Sequence, residues 1–527
     1  MNITPAEADA VQAEAQAHPP SRSSGARILL DMKPALDGYA GIPQESRLLF
    51  RGLRMMDGFQ VEGLIQHGGR RLRQAITKLK GKPQPVSRKV NRLSRVVVSL
   101  YVNPYSTWFD KIVHSIQSYF ALSLLRLRVA MRRSIKPGVF ESDLFDDFIW
   151  RTFFSKTLKP EDKPLVTEAR YHILPTPKKV LHQAGLAGLR FSATPRYVSV
   201  DTRGFDIFLA QTPFPARVSK DTTMVVRYHD TVPVLMPHTI NDKAFHQASH
   251  FYSLQENVRA GAWFACVSEA TRSDLLKVFP EVESRTTVIH NMVSNEYYDD
   301  QSPKSLVFQI LPNRLAVLDE FQTNLSALRF EEAKDKSRDF EYLLMVSTLE
   351  PRKNHLLLME AWERLKYTSM PRLKLVVVGN KGWDYAPILN AFRPWAERGD
   401  LFYLNNVPSA ELRVLYKHAA ATVCPSLAEG FDYAGIEAMR CGGIVIASDI
   451  PVHREIYGNA SEYFSPYSPE EAAQVIGRVL ARESAPLRER LRDAGSLVSD
   501  RYTARNILPK WHAFFDMLSQ QRAAAKR

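Results

Sequence analysis

Two glutamates, Glu429 and Glu437, lie eight positions apart in the stretch CPSLAEGFDYAGIEAMRCGGIVIASDI. A helix is predicted to begin near Tyr433, so Glu437 falls about one turn inside it and Glu429 on the loop before it. The free N–H groups and the dipole of a helix start favour a phosphate between the two carboxylates. Gly430 lets the backbone approach a ligand closely. Carboxylates on both sides of a phosphate site suit a ligand with hydroxyls at both ends, such as a nucleotide sugar.

A second candidate site is the loop STLEPRKN, residues 347–354, which follows a predicted strand and precedes a predicted helix. Arg352 and Lys353 in this loop would neutralise a diphosphate, Arg through a forked contact and Lys as a point charge. Such a pair is commonly surface charge. Its place at the carboxyl end of a strand is what favours binding.

Two further candidates follow strands in the first half of the chain. Gly41 lies in a loop between the first predicted strand and a helix predicted at 46–55. His229 and Asp230 follow a predicted strand that ends at Tyr228. A single histidine is more often structural, but one at a strand end that faces a cleft favours a role in binding.

The elements that position these residues are short apolar runs alternating with helical patterns, which indicate parallel sheets covered on both faces. A chain of 527 residues exceeds the size of one hydrophobic core, so we expect two doubly wound α/β domains with a cleft between them. The predicted strands are 28–31, 207–210, 224–228, 263–267, 287–289, 342–346, 373–378, 401–404, 421–424 and 443–447.

Composition excludes several other classes. The three cysteines, Cys266, Cys424 and Cys441, form no CxxC pair, which argues against a disulfide framework or a zinc site. No apolar run approaches the roughly 20 residues needed to cross a bilayer. The first 27 residues lack the apolar region of a signal peptide. These features predict a cytoplasmic protein, one that could still rest on a membrane.

The net charge of +14 is concentrated in one part of the chain. Between Gln66 and Arg95 there are basic residues and no acidic one, and an amphipathic stretch follows from Trp108 to Arg133. Residues 66–133 could bind an anionic membrane surface, where each basic residue contributes about 1 kcal/mol. They could equally form a solvated face and a helix packed on its own domain. Nucleic acid is disfavoured because no stacking-aromatic or helix-turn-helix signature accompanies the charge.

The stretch around the two glutamates resembles the signature of retaining glycosyltransferases of the GT-B fold, in the group called family 4 or group 1. The family usually has glycine where this chain has Asp432, a difference that could alter contacts with the donor sugar. Three other segments resemble the family: the E-P-R-K-N loop, the His229-Asp230 pair and Ser268 to Arg272. The signature EGF…EAM…G.PVIAS is matched by Glu429-Gly430-Phe431, Glu437-Ala438-Met439, Gly442 and Val445 to Ser448.

The resemblance implies a role for each candidate residue. Arg352 and Lys353 would grip the donor diphosphate, which the Gly41 amide would also touch. Glu429 would hold the sugar hydroxyls and Glu437 those of the ribose. His229 would orient the sugar from the opposite domain, and Gly430 and Phe431 would complete the donor site. The family needs no metal ion, so the resemblance implies neither a metal nor any other cofactor.

The resemblance also implies a domain plan. Residues 1–27 are predicted to be a disordered tail, and 28–336 an acceptor-binding Rossmann-like domain with a basic, partly helical insertion at about 65–200. Residues 337–500 would bind the nucleotide sugar, and 501–527 would form a helix crossing back to the first domain.

The expected function is transfer of a hexose, with mannose favoured, from a nucleoside diphosphate sugar. The acceptor would be a glycan or a polyprenyl-linked saccharide in the assembly of cell-surface polysaccharide, such as lipopolysaccharide. The protein would be cytoplasmic and could lie on the inner face of the membrane. The alternatives are a sugar-nucleotide epimerase on the same fold and a non-catalytic membrane-associated scaffold. The sequence does not determine the donor base, the acceptor, the linkage or the oligomeric state.

Overall fold

The computed structural model describes residues 25–36, 38, 41–66, 85–100, 107–131, 133–190, 192–316 and 340–526. They form two α/β domains, each built on a largely parallel sheet. The strands are β1 Ala26–Asp31, β2 Phe59–Gln66, β3 Gly138–Phe140, β4 Tyr171–Leu174, β5 Ile207–Ala210, β6 Thr223–Tyr228, β7 Trp263–Cys266, β8 Thr286–Val288, β9 Tyr342–Val346, β10 Lys374–Val378, β11 Leu401–Leu404, β12 Ala421–Cys424, β13 Val445–Ser448 and β14 Ser461–Phe464.

Eighteen α-helices accompany these strands in the described ranges. They are α1 Ile42–Arg54, α2 Val86–Ser99, α3 Trp108–Ala130, α4 Asp146–Ile149, α5 Lys163–Thr167, α6 Lys178–Leu186, α7 Val232–Leu235, α8 Lys243–Arg259, α9 Glu269–Val278, α10 Val307–Arg314, α11 His355–Thr368, α12 Ala386–Glu397, α13 Ser409–His418, α14 Tyr433–Arg440, α15 Pro451–Tyr457, α16 Pro469–Leu480, α17 Ala485–Asp500 and α18 Ala504–Lys526.

The N-terminal sheet has the strand order β3-β4-β2-β1-β5-β6-β7-β8, and its neighbouring strands run parallel except for β3 and β4. Alternate side chains of a strand point to opposite faces. In β1, Ile28 and Leu30 therefore join one apolar cluster, the first cluster, and Leu29 joins another, the second cluster. Both faces are buried, which explains why these strands appear in the sequence as nearly continuous apolar runs.

The C-terminal sheet has the order β11-β10-β9-β12-β13-β14 and is parallel throughout. Its central strands β9 and β12 are neighbours, with Leu344 opposite Thr422. The loops that follow them, 347–354 and 425–432, must therefore meet at the same edge of the sheet. This adjacency positions the candidate site.

Each of the ten predicted strands is present to within two residues, as β1 and β5 to β13. The span from about 65 to 200, predicted as an insertion, instead supplies β3 and β4 to the sheet, where β4 lies beside β2. The predicted tail overlaps the start of β1 at Ala26, and residues 1–24 lie outside the described residues. The predicted domain link near Ser337 also lies outside them.

The final helix α18 packs on the N-terminal domain. Ile507, Trp511 and Phe515 are fully buried in the first cluster, together with residues of β1 and α1. Just before α18, the carbonyl of Tyr502 accepts a hydrogen bond of 2.8 Å from the amide of Val293. Helix α18 is thus part of the core that forms around β1 and α1.

Candidate active site

The loops after β9 and β12 bring Arg352, Lys353 and Glu429 together. Nζ of Lys353 lies 2.5 Å from Oε1 of Glu429, and Nη1 of Arg352 lies 2.7 Å from Oε2 of the same carboxylate. Nη2 of Arg352 pairs with Glu350 at 2.7 Å. One carboxylate therefore holds both cations at a single point on the edge of the sheet.

Backbone contacts fasten the two loops to each other. The amide of Leu427 donates to the carbonyl of Arg352 at 2.9 Å. Asn354 adopts a left-handed conformation with φ of 60°, which asparagine tolerates better than most residues. From there its Nδ2 donates to the carbonyl of Pro425 at 3.1 Å. The position of the Arg-Lys pair relative to Glu429 is thus set by both loops.

The charges in this cluster are nearly balanced. Burial raises the pKa of Glu429, but the adjacent Arg352 and Lys353 outweigh that effect and hold it below its ordinary value. Burial raises the pKa of Glu350, although Arg352 opposes the shift. Each cation already has a carboxylate partner, so a diphosphate entering here would share Arg352 and Lys353 with Glu429.

Glu437 lies in α14 and is only 4% exposed. Its Oε1 accepts a hydrogen bond from Nε2 of Gln44 at 3.0 Å, and its Oε2 accepts one from the hydroxyl of Tyr416 at 3.1 Å. Burial raises the pKa of Glu437 to about 7, although these hydrogen bonds lower it. Because Gln44 belongs to α1 of the other domain, Glu437 sits where the two domains meet.

Asp432 caps α14 and contacts His453. Its Oδ1 accepts a hydrogen bond from the amide of Ala434 at 3.1 Å, and its Oδ2 lies 3.3 Å from Nε2 of the fully buried His453. Burial raises the pKa of Asp432, but His453 and Lys353 outweigh it and hold the pKa well below the usual range. The helix start that was expected to be free for a phosphate therefore already has a carboxylate on one of its amides.

His229 approaches the same region from the N-terminal domain. Its side chain is buried, and burial lowers its pKa well below the ordinary value, so the imidazole is neutral at pH 7. Its Nε2 has no hydrogen-bond partner among the described residues. A neutral imidazole with an unpaired nitrogen is suited to a hydrogen bond with a ligand hydroxyl.

Gly430 packs against the opposite domain. A Cβ at this position would lie 1.6 Å from the carbonyl oxygen of His229, so only glycine fits. The hydroxyl of Thr271 donates to that same carbonyl at 3.3 Å. The sequence predicted that Gly430 lets the backbone approach a ligand closely. In the structure, Gly430 lets the backbone approach the opposite domain.

Gly41 precedes α1 with φ of 70°, a left-handed conformation that favours glycine. Its carbonyl accepts the first hydrogen bond of the helix, from the amide of Glu45 at 3.0 Å. The buried guanidinium of Arg227 lies 3.0 Å from Glu45, and its Nη2 donates to Asn291 at 2.7 Å. A buried ion pair therefore fixes the helix turn that follows Gly41.

Phe431 contributes its side chain to the core. It is 8% exposed, and its ring lies 5.2 Å from the ring of Tyr433 and 5.3 Å from that of Tyr502. Only its backbone is placed to contact a ligand beside Gly430.

Several residues that shape the site were not predicted from the sequence. Gln44 and Tyr416 hold Glu437, and nothing in their local sequence indicates this contact. Glu455 accepts hydrogen bonds from the first two amides of α9, those of Glu269 and Ala270, at 2.7 and 2.9 Å. This contact ties the start of α9 to the opposite domain.

Unpartnered polar groups mark the carboxyl edge of the N-terminal sheet. Asp31 ends β1, Gln66 ends β2 and Gln211 follows β5. Oδ2 of Asp31 and both side-chain amide atoms of Gln66 and Gln211 are buried without a hydrogen-bond partner among the described residues. Such groups need explaining, because an unmade buried hydrogen bond costs about 1–3 kcal/mol. In the same ranges, no group of three or more His, Cys, Asp or Glu residues is placed to hold a metal ion.

Comparison with known proteins finds relatives of the region that contains this site. Residues 328–497 match the family described as "Glycosyl transferases group 1". The chain is 28% identical over 214 residues to O-antigen chain mannosyltransferase B of Escherichia coli, an alignment covering 41% of this chain and 50% of that protein. It is 26% identical over 254 residues to O-antigen chain mannosyltransferase RfbU of Salmonella typhimurium, covering 46% and 61%. The chain thus spans less than two thirds of the length of these relatives.

Two solved structures share the fold along nearly the whole chain. Sucrose-phosphate synthase from Thermosynechococcus elongatus superposes with a TM-score of 0.56 at 14% identity, covering 94% of this chain and 100% of that one. Anabaena HepE in complex with UDP-glucose gives 0.50 at 14% identity, covering 93% and 99%. At these identities the likeness establishes the architecture, two Rossmann-like domains facing each other. The chain therefore has the GT-B fold, and its residues 328–497 are similar to the group 1 glycosyltransferases.

Proposed function

We propose that this protein is a hexosyltransferase that moves a hexose, mannose by preference, from a nucleoside diphosphate sugar to a hydroxyl of a saccharide acceptor. The configuration of the anomeric carbon is retained. The setting is the assembly of cell-surface polysaccharide, such as lipopolysaccharide. The observation that carries this proposal is the joining of Arg352 and Lys353 to Glu429 at the edge of the C-terminal sheet.

The proposed chemistry follows from the charge that develops on the leaving diphosphate. Breaking the bond between sugar and diphosphate leaves negative charge on the diphosphate, and Arg352 and Lys353 stabilise that charge more strongly as it grows. Their positive charge serves the leaving group, so the proposal involves no metal ion or other cofactor. Glu429 accepts hydrogen bonds from the sugar hydroxyls and Glu437 from those of the ribose. His229 orients the sugar from the opposite domain.

The preference for mannose rests on the relatives. The two O-antigen enzymes and a third similar protein, the serotype-specific mannosyltransferase WbdA of Escherichia coli, are all named as mannosyltransferases. WbdA is 34% identical over 139 residues, which cover 26% of this chain and 17% of that protein. These alignments support a shared donor sugar but leave the base of the nucleotide open.

The acceptor is proposed to be a glycan or a polyprenyl-linked saccharide that binds at the carboxyl edge of the N-terminal sheet. The unpartnered amides of Gln66 and Gln211 and the unpartnered oxygen of Asp31 support this placement. Amide and carboxylate groups recognise sugar hydroxyls because they offer both donors and acceptors. The same proposal puts the protein in the cytoplasm, on the inner face of a membrane, with the contact lying within residues 66–133.

A panel of nucleotide sugars tests the donor assignment. Thermal unfolding of the full chain is measured with GDP-mannose, GDP-fucose, UDP-glucose and UDP-N-acetylglucosamine, and we expect the midpoint to rise with one of them. The stabilising sugar nucleotide is then incubated with the protein and saccharide acceptors, and the products are analysed by mass spectrometry. The anomeric configuration of the product is read by NMR.

The outcomes separate the alternatives. A glycosylated acceptor with the donor's configuration supports the proposal, and an inverted product contradicts the retaining mechanism. An altered free sugar nucleotide would identify an epimerase instead. Absence of stabilisation by any nucleotide sugar or nucleoside diphosphate would indicate a scaffold without a donor site.

A further inference from the structure

Helix α3, Trp108–Ala130, has an inner face that packs on the N-terminal domain. Leu125 is 5% exposed in the second cluster, and Leu122 and Val129 pack against the same cluster. α3 also contacts α6. This face accounts for the attachment of the helix to its own domain, one of the two interpretations that the sequence left open.

The outer face of α3 is also apolar, and it is exposed. At about 100° per residue, its large apolar side chains fall within an arc of about 140°. The outward face of a surface helix is normally polar, and an exposed apolar patch of this kind marks an interaction site. The side chains of this outer face, which we call the aromatic face, are 44–72% exposed: Trp108, Phe109, Ile112, Ile116, Tyr119, Phe120, Leu127 and Met131.

The surrounding charge selects the partner. Between Trp108 and Phe140 the sequence contains one acidic residue, Asp110, and six Lys or Arg residues: Lys111, Arg126, Arg128, Arg132, Arg133 and Lys136. Arg126 and Arg133 are exposed, and Arg126 falls on the same side of the helix as Trp108. Aromatic side chains beside a clear excess of basic ones complement the headgroup region of an anionic bilayer.

The other basic helix does not share this surface. Leu93 and Val96 of α2 belong to the first cluster, whereas α3 packs on the second. The two clusters lie on opposite faces of the N-terminal sheet, so α2 and α3 point in different directions. The segment between β2 and α2, residues 67–84, lies outside the described residues. The sequence alone suggested that both basic segments form one membrane surface. The structure restricts this surface to α3.

We propose that α3 lies flat in the interface of an anionic membrane with its aromatic face in the headgroup region. None of the described helices is long and apolar enough to cross a bilayer. The proposed contact is therefore between α3 and the membrane surface. α3 packs on α6, whose first residue, Lys178, contacts Thr212 beyond the end of β5. The membrane would therefore lie one helix away from the carboxyl edge of the N-terminal sheet. Where the proposed function holds, this placement delivers a lipid-anchored acceptor to the cleft.

Vesicle binding tests the proposal without any need for activity. The full chain is sedimented with vesicles of phosphatidylcholine alone or with about one third phosphatidylglycerol, and we expect binding to the anionic vesicles only. The variant Phe109→Ser/Phe120→Ser removes two exposed rings of the aromatic face, and Arg126→Gln/Arg133→Gln removes two exposed charges. We expect each to weaken binding by about tenfold or more. Tyr467→Ser/Leu497→Ser, at residues 78% and 72% exposed in the C-terminal domain, is the matched control and should bind as the unaltered chain does.

Several results would overturn the proposal. Equal binding to neutral and anionic vesicles contradicts the charge argument, and unchanged binding of Phe109→Ser/Phe120→Ser contradicts the assignment to α3. If light scattering shows a dimer that this variant converts to a monomer, the aromatic face is covered by a second copy instead. Thermal stabilisation by the donor nucleotide is measured in every variant. Loss of vesicle binding with donor binding intact separates this proposal from the proposed function.

Discussion

The backbone of Gly430 lies against the carbonyl oxygen of His229, so close that a Cβ would come within 1.6 Å of it. This contact joins the loop that carries Glu429 to the strand end that carries His229. The two sides of the candidate site can therefore pack this closely only because residue 430 has no side chain.

Replacing Gly430 with alanine should separate the two domains at this point. Displacing groups on opposite sides of a reaction by about 1 Å can cost about 100-fold in rate, and we expect a loss of that order. Transferase activity and small-angle scattering measure the loss and the opening. Gly477→Ala, in helix α16, is the control, because its Cβ would meet only the end of the Leu365 side chain at 3.3 Å. Full activity in Gly430→Ala would show that this closed contact is not needed for transfer.

Lys353→Ala and Glu429→Gln should each lower kcat by about tenfold or more. The lysine change removes charge from the leaving diphosphate, and the glutamine keeps the shape of Glu429 while removing its charge. Circular dichroism shows whether each variant folds. Arg364→Ala, which breaks an exposed ion pair with Glu470, should leave kcat unchanged. Normal kcat in both site variants would refute the assignment of the Arg-Lys loop and Glu429.

The stability of the protein should depend on pH through Glu437. Its pKa is about 7 in the folded chain against an ordinary value of 4.5, so the folded state holds a proton that the unfolded state releases. The resulting stabilisation is fully present below about pH 4.5 and is lost as pH rises through about 7. Glu437→Gln cannot titrate. We expect its free energy of unfolding, relative to the unaltered chain, to rise by about 2–4 kcal/mol between pH 5 and pH 8. Urea denaturation at several pH values measures this difference, and a constant difference would contradict the raised pKa.

The buried ion pair of Arg227 and Glu45 should behave unlike a surface pair. Removing one partner leaves a charge buried without compensation, so Arg227→Met should cost about 3–5 kcal/mol of stability. Adding Glu45→Gln removes the uncompensated charge, so the double variant should lose less than the sum of the single losses. The exposed pair of Arg454 and Asp449 is the control, and Arg454→Ala should cost at most about 1 kcal/mol. Strictly additive losses for Arg227 and Glu45 would show that the two charges do not stabilise each other.

Asp432 should act on stability and leave donor affinity unchanged. Its carboxylate caps α14 and faces His453, so Asp432→Ala should lose about 1 kcal/mol of stability. Asp432→Asn should keep the cap and change the KM for the donor by less than about twofold, because the side chain is already engaged by the amide of Ala434 and by His453. Denaturation and steady-state kinetics measure the two quantities. A large rise in donor KM for Asp432→Asn would show that this residue contacts the sugar.

The C-terminal half was largely predictable because its strands are short apolar runs, each followed by a loop and a helix. That pattern placed Glu429 before α14 and Glu437 inside it, and the structure has the helix beginning at Tyr433 as expected. The N-terminal half contained weaker signals. β2 carries Gln60, Glu62 and Gly63, and β4 carries His172 in its short run, so neither stands out as a buried apolar strand.

Contacts between distant parts of the chain could not be predicted at all. Gln44 and Glu437 are 393 positions apart, and no local pattern connects them. α1 begins at Ile42, four residues before the predicted start, because proline is well tolerated in the first turn of a helix and Pro43 occupies it. The early start is what brings Gln44 to the domain boundary.

The packing of α18 has a consequence for the order in which the molecule is made. Ile507, Trp511 and Phe515 are synthesised after the strands of both sheets, yet they fill the first cluster around β1 and α1. The N-terminal domain therefore lacks part of its interior until α18 has been translated. Until then the apolar side chains that α18 covers remain exposed. The C-terminal sheet, in contrast, has all of its strands once Phe464 has been synthesised. The half that is synthesised first is thus the half whose core is completed last.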